Sequence, residues 1–228
     1  MKNKIAPQGF ILFSLAYILI TLLGRADIAW YLKLFLLPFL MYWVATFDSF
    51  PTKKILILAL TFSWIGDCIL LFSDKGELYF IVGLVAFLLS HLVYIGVFNK
   101  EIKTEIKTNA FAFWIGIGVV LLYLISMVAL LIGDLGVLKI PVIGYAITIS
   151  VMLLFAFKGS LHWSKPSNFY ILIGAILFVS SDSILAINKF HTSIPLASFW
   201  IMVTYLSAQF CITFGILQLN KTKTASSK

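Results

Sequence analysis

Charge is scarce in this chain of 228 residues. Only 11% of them are charged and 61% are hydrophobic, whereas a soluble domain carries about 25% charged residues. The deficit excludes an ordinary water-soluble domain and leaves a polytopic membrane protein. Cysteine is almost absent. Cys68 and Cys211 both lie inside apolar runs, so neither a disulfide framework nor a CxxC metal pair is available. No G-x-S-x-G, H-E-x-x-H or P-loop occurs, which removes the common signatures of serine hydrolases, zinc peptidases and nucleotide hydrolases. The ten-residue alternation of a membrane β-barrel is missing too. There is no linker or low-complexity tract.

What is present is a row of apolar segments punctuated by charge. Their approximate limits are 9–24, 28–47, 55–73, 78–98, 109–132, 140–157, 169–187 and 196–219. Most reach the length of about 20 residues that crosses a bilayer as helix. The expected fold is therefore an all-α membrane protein, eight helices in one compact domain over residues 1–228. The opening "MKNKIAPQGFILFSLAYILITLLG" has a basic start and an apolar run without a small-x-small cleavage site, so it reads as an uncleaved first helix.

The net charge of +8 does not point to nucleic acid once the basic residues are placed. Twelve of the 17 Lys and Arg fall on one side: Lys2, Lys4, Lys53, Lys54, Lys100, Lys103, Lys107, Lys158, Lys165, Lys221, Lys223 and Lys228. Four fall on the other: Arg25, Lys75, Lys139 and Lys189. The positive-inside rule then puts both termini in the cytoplasm. The partners of such a surface are the lipid bilayer and its headgroups. A weak repeat relates "WIGDCILLF" in the third segment to "VSSDSILAI" in the seventh through D-x-I-L, consistent with two four-helix halves.

Four ionisable residues interrupt the apolar segments: Lys33, Asp67, His91 and Asp182. Such residues are costly in hydrocarbon and mark functional sites. At 1.5 Å per residue, Lys33, Asp67 and Asp182 all fall roughly 8 Å below the outer boundary. His91 lies deeper. Lys33 alone has a simple alternative, snorkelling to the headgroups, and one aspartate has the alternative of a structural pair with Lys33. Two carboxylates and one lysine at a common depth exceed a pair. If one carboxylate is ionised and paired, the other carries a proton to keep the site neutral. One acid and one base then arise from identical side chains, the pattern of general acid–base catalysis.

Other polar side chains fit orienting roles. His91 and Tyr94 stand three residues apart on one helix face, and Tyr205 and Gln209 stand four apart. Each pair also reads as polar contact between helices. Tyr145, after Pro141, is a further buried phenol. Ser63, Ser180 and Ser181 stand ready to orient the carboxylates or to satisfy backbone carbonyls. The remaining histidines, His162 and His191, belong to opposite loops, so a zinc site of three or four convergent ligands is not expected. The seventh and eighth segments hold no deep lysine, which excludes a retinal-type Schiff base.

In order along the chain, "LKLFLLPFLMYW", "SWIGDCILL", "GLVAFLLSHLVY", "PVIGY", "LFVSSDSILA" and "TYLSAQF" resemble the motifs of the YhhN-like integral membrane proteins, which include the animal lysoplasmalogenases. The resemblance covers the second to eighth segments. It implies hydrolysis of the vinyl ether bond of a lysoplasmalogen to a fatty aldehyde and a glycerophospho-alcohol, without cofactor or metal. The chemistry suits the residues: Asp67 and Asp182 are the expected catalytic pair, with Lys33, His91, Tyr94, Tyr145, Tyr205 and Gln209 binding or orienting a lysophospholipid. The expected location is a bacterial inner membrane. A proton-coupled transporter is the alternative that intramembrane carboxylates also suit. A scaffold would need loops with partner motifs, and there are none.

Overall fold

The computed structural model describes residues 5–102 and 110–226, and no strand occurs among them. Lys2, Lys4, Lys103, Lys107 and Lys228 of the topology argument lie outside the described residues. Eight α-helices follow one another: α1 (Ile5–Leu22), α2 (Ala26–Thr46), α3 (Lys53–Leu70), α4 (Glu77–Glu101), α5 (Ala110–Leu131), α6 (Lys139–Ser160), α7 (Ser167–Ala186) and α8 (Ala197–Ser226). A 3₁₀ turn, Gly136–Leu138, precedes α6, and a π-helical turn, Ile187–His191, extends α7. Six helices, α2 and α4 to α8, are long and apolar enough to cross a membrane. α1 offers a shorter apolar stretch, Ala6–Leu22, and the 18 residues of α3 include Lys53, Lys54 and Asp67.

The chain divides into two compact units, Met1–Val97 and Phe98–Lys228. The division falls inside α4.

In the first unit, α1 ends where Gly24 takes a φ of +72°. The Gly24 N–H donates to the Thr21 carbonyl and the Arg25 N–H to the Ile20 carbonyl, both at 3.1 Å, the paired bonds of a Schellman C-cap that favours glycine. α2 contains Pro38, which has no N–H to offer the carbonyl four residues earlier. That carbonyl, of Leu34, instead accepts the indole N–H of Trp64 at 2.8 Å. A backbone group orphaned by proline inside an apolar layer must find such a partner. The bond fixes α3 against α2. Lys53 closes the other end, donating to the carbonyls of Ala45 at 2.8 Å and Phe47 at 2.6 Å, a cation at a helix C-terminus.

α3 and α4 pack through small residues. A Cβ on Gly66 would lie 2.7 Å from the Phe87 ring, and one on Gly83 2.7 Å from Leu70. Ser63 and Ser90 share a hydrogen bond of 2.7 Å, and Ser90 also donates to the Ala59 carbonyl at 2.9 Å. Ala59, Ser63, Gly66 and Leu70 recur every three or four residues, so they form one face of α3. Asp67 belongs to that buried face.

In the second unit, α7 and α8 approach most closely. A Cβ on Gly174 would meet the Ile212 nitrogen at 2.9 Å and the Ala208 carbonyl at 3.0 Å. One on Gly215 would meet the Ile171 nitrogen at 3.1 Å and the Ser167 carbonyl at 3.2 Å. Because backbone atoms stand among the neighbours, beside the Ile212 and Ile171 side chains, neither position yields to a side chain without moving a helix, the small-residue packing of membrane helices. At one end of the unit, Glu101 accepts from Asn220 through its carboxylate at 3.1 Å and from Trp163 through its carbonyl at 3.2 Å. At the other end, His191 and Asp134 pair at 2.7 Å, tying the turn after α7 to the loop after α5.

Candidate active site

Among the described residues each unit carries one buried aspartate within its helices. In the first, Asp67 on α3 is 4% exposed, and its Oδ1 lies 3.4 Å from the Lys33 ammonium. The turn of Asp67 belongs to α3, that of Lys33 to α2. They meet because the Trp64–Leu34 bond pins the two helices one residue from Lys33 and three from Asp67. An unpaired carboxylate or ammonium at such burial costs several kcal/mol, so the two charges account for each other. His91 and Tyr94 on α4 are fully buried. Ser90 beside His91 belongs to the hydrogen-bonded seam with Ser63. Ser63 therefore serves that seam, four residues from Asp67.

In the second unit three consecutive residues of α7 reach three different helices. Successive helical residues point about 100° apart, and the sequence Ser181-Asp182-Ser183 uses each direction. Ser181 donates to the Ile201 carbonyl on α8 at 3.0 Å. Asp182 accepts the Tyr145 phenol of α6 on Oδ2 at 2.7 Å. Ser183 shares a hydrogen bond of 2.8 Å with Tyr123 of α5 and donates to the Val179 carbonyl at 2.7 Å. Ser180 faces outward and bonds the Ile176 carbonyl of its own helix. Ser180 and Ser181 thus serve backbone carbonyls, the second of the two roles open to them in sequence.

Tyr205 on α8 packs edge-on against Phe178, with ring centroids 5.5 Å apart and planes at 80°. Phe178 precedes Asp182 by one helical turn, so this contact braces the same stretch of α7. Gln209, one turn beyond Tyr205, is fully buried.

Two pairs of the expected residues meet, making two constellations. Lys33 and Asp67 form one, Tyr145 and Asp182 the other. Three contributors were not legible as site residues. Trp64 acts through its indole on a carbonyl freed by proline, and only Pro38 four residues after Leu34 signals it. Tyr123 sits in "VLLYLIS" with no charged neighbour to mark it. Ser183 was overshadowed by Asp182. Among the described residues no three of His, Cys, Asp and Glu gather into a metal-ligand set.

The two constellations have different chemistry. An ammonium beside Asp67 makes it the carboxylate half of an ion pair. A phenol donating to one oxygen of Asp182 fixes that carboxyl's orientation and occupies Oδ2 as an acceptor.

Comparison with known proteins assigns the chain. The model of the YhhN family matches residues 28–216. The chain is 26% identical over 180 residues to the lysoplasmalogenase TMEM86A of Homo sapiens, covering 74% of this chain and 67% of that protein. It is 30% identical over 168 residues to the lysoplasmalogenase TMEM86B of Sus scrofa, covering 72% and 64%. It is 29% identical over 172 residues to the Homo sapiens TMEM86B, covering 73% and 65%. The alignments thus span about two thirds of each relative. No solved structure matches the chain significantly. The motif order read from the sequence and the match over α2 to α8 agree, and the chain belongs to the YhhN family.

Proposed function

We propose that this protein is an intramembrane hydrolase that cleaves the vinyl ether bond of lysoplasmalogens. The observation that carries the reading is the similarity, over about three quarters of the chain, to mammalian proteins named lysoplasmalogenases. The products are a fatty aldehyde and a glycerophospho-alcohol.

The chemistry asks for one protonated and one ionised carboxyl, with no cofactor. Asp182 is the acid. With Oδ2 accepting from Tyr145, its proton resides on Oδ1 and passes to the β-carbon of the vinyl ether. The π electrons form the new C–H bond, and the α-carbon becomes an oxocarbenium ion. Asp67, held as a carboxylate by Lys33, takes the proton of the water that adds to that carbon. Asp67 gives that proton to the glycerol oxygen as the hemiacetal C–O bond breaks, and the hemiacetal O–H, becoming the aldehyde carbonyl, returns its proton to Asp182. Paired carboxylates handle the same kind of cation in glycoside hydrolysis. His91, Tyr94, Tyr205 and Gln209 orient the lysophospholipid, whose chain enters between helices.

All eight helices cross the bilayer in this reading, with both termini cytoplasmic in a bacterial inner membrane. α1 and α3, at 18 residues each, extend about 27 Å, close to a hydrocarbon core of about 30 Å. The division of the chain inside α4 supports an origin by duplication of four helices, with Asp67 and Asp182 in corresponding positions.

The test is aldehyde release by the purified protein. An alkenyl lysophospholipid is expected to yield aldehyde, while the ester-linked lysophospholipid stays intact, since an ester offers no carbon to protonate. Release of fatty acid from the ester lipid would replace this reading with a lipase. No turnover of either lipid, with proton-driven solute uptake into vesicles, would replace it with a transporter.

A further inference from the structure

A second polar site lies at the far end of α7 from Asp182. Where α6 gives way to α7, an open groove of about 430 Å³ is lined by Ser160, Lys165, Pro166, Asn168, Phe169, Tyr170 and Leu172. Asn168 and Asp182 are 14 positions apart on one helix (182 minus 168), so roughly 21 Å of helix separates them. The groove therefore belongs to the opposite membrane face and not to the proposed catalytic carboxyl.

Its walls are held in place. Asn168 donates through Nδ2 to the Ser160 carbonyl at 3.2 Å and accepts the Phe169 N–H on Oδ1 at 2.8 Å. The Ser160 hydroxyl donates to the Phe157 carbonyl at 2.7 Å. These polar groups are committed to the fold, which leaves the exposed Lys165 ammonium as the charged feature of the rim. Lys165 stands two residues before the apolar span that begins at Ser167, the level of lipid headgroups. The other end of the groove is apolar, with Phe169 62% exposed and Leu172 beside it. Cation at the headgroup level and hydrocarbon below it is the complement of a phospholipid, its phosphate at Lys165 and its acyl chain along Phe169.

The charge pattern selects the headgroup. Between Asp134 and Asp182 the chain has no acidic residue, while Lys139, Lys158 and Lys165 are all present. No carboxylate lines the groove, so the ammonium of a choline or ethanolamine headgroup finds no opposite charge there. We infer that the α6–α7 groove binds an anionic phospholipid of the phosphatidylglycerol kind, through its phosphate, at a site separate from the one where substrate is cleaved.

Native mass spectrometry of the purified full-length protein in detergent, titrated with phosphatidylglycerol or phosphatidylcholine, tests this. One phosphatidylglycerol is expected to bind in clear preference to phosphatidylcholine. Lys165→Gln should weaken it by about fivefold, the worth of one lysine at an anionic surface. Lys139→Gln removes another exposed charge, at the other end of α6, and should leave that binding unchanged. Millimolar inorganic phosphate should not displace the lipid. Equal phosphatidylglycerol binding by Lys165→Gln and the unaltered protein would overturn the inference. So would an equal loss in Lys139→Gln, which means bulk charge alone, or displacement by inorganic phosphate, which means a free-anion site.

Discussion

Asp67 and Asp182 differ little in burial, at 4% and 9% exposed, and differ entirely in company. An ammonium faces the first and a phenol the second. That contrast, more than burial, sets one carboxyl apart from the other, and it yields separable mutational outcomes. Asp67→Asn and Asp182→Asn should each lower the rate of aldehyde release by at least about 10²-fold while leaving the protein folded, the usual worth of a positioned acid or base. His91→Gln should cost less. Full activity in either aspartate variant would remove that residue from the mechanism. Lys33→Met should lower stability by about 3–5 kcal/mol, because it strands a buried carboxylate. Lys33→Met combined with Asp67→Asn should recover most of that loss without recovering activity. Unfolding followed by denaturant titration, beside the aldehyde assay, separates the two. The ionisable residues were legible in the sequence because a charge in an apolar run has few explanations. Tyr123 was not, because a phenol among leucines is compatible with a lipid-facing position; only its bond to Ser183 gives it away.

Helix positions were legible for the same reason that fine limits were not. Hydropathy reports where the chain is apolar, and the eight expected segments coincide with the eight helices. It does not report where a helix stops. α8 was expected to end near residue 219 and continues to Ser226, since a polar stretch leaving the apolar layer remains helical when nothing breaks it. α4 runs on to Glu101, whose carboxylate is received by Asn220. α1 stops before its expected limit because Gly24 caps it. The element with most influence on the site is the broken turn of α2. With Pro38 present, Trp64→Phe leaves the Leu34 carbonyl without its donor and should cost about 1–3 kcal/mol, the penalty of an unsatisfied buried polar group. In a Pro38→Ala background the residue at 38 supplies an N–H to that carbonyl, and the same substitution should cost much less. Equal costs in both backgrounds would show that the indole acts by packing alone. A bulky residue at Gly174 or Gly215 should be worse than either, because backbone as well as a side chain stands in its way.

At the scale of the whole molecule, the asymmetry of Lys and Arg carries the topology. Reporter fusions at Lys53, Lys103 and the C-terminus should read cytoplasmic, and one at Lys75 external. An external C-terminus would overturn the proposed eight-crossing arrangement. Family membership rests on the match over residues 28–216, and the bond that is cleaved rests on chemistry that leaves a permanent mark. If a carboxyl protonates the vinyl ether carbon, the solvent proton ends up on the carbon next to the aldehyde. The decisive measurement is turnover of an alkenyl lysophospholipid by the purified protein in heavy water, with the aldehyde trapped at once by reduction and its mass read. One deuterium at that carbon, with a slower rate than in light water and aldehyde release at least about 10²-fold slower from Asp182→Asn, is the predicted result. An aldehyde without deuterium there, or full labelling and rate in Asp182→Asn, would contradict it.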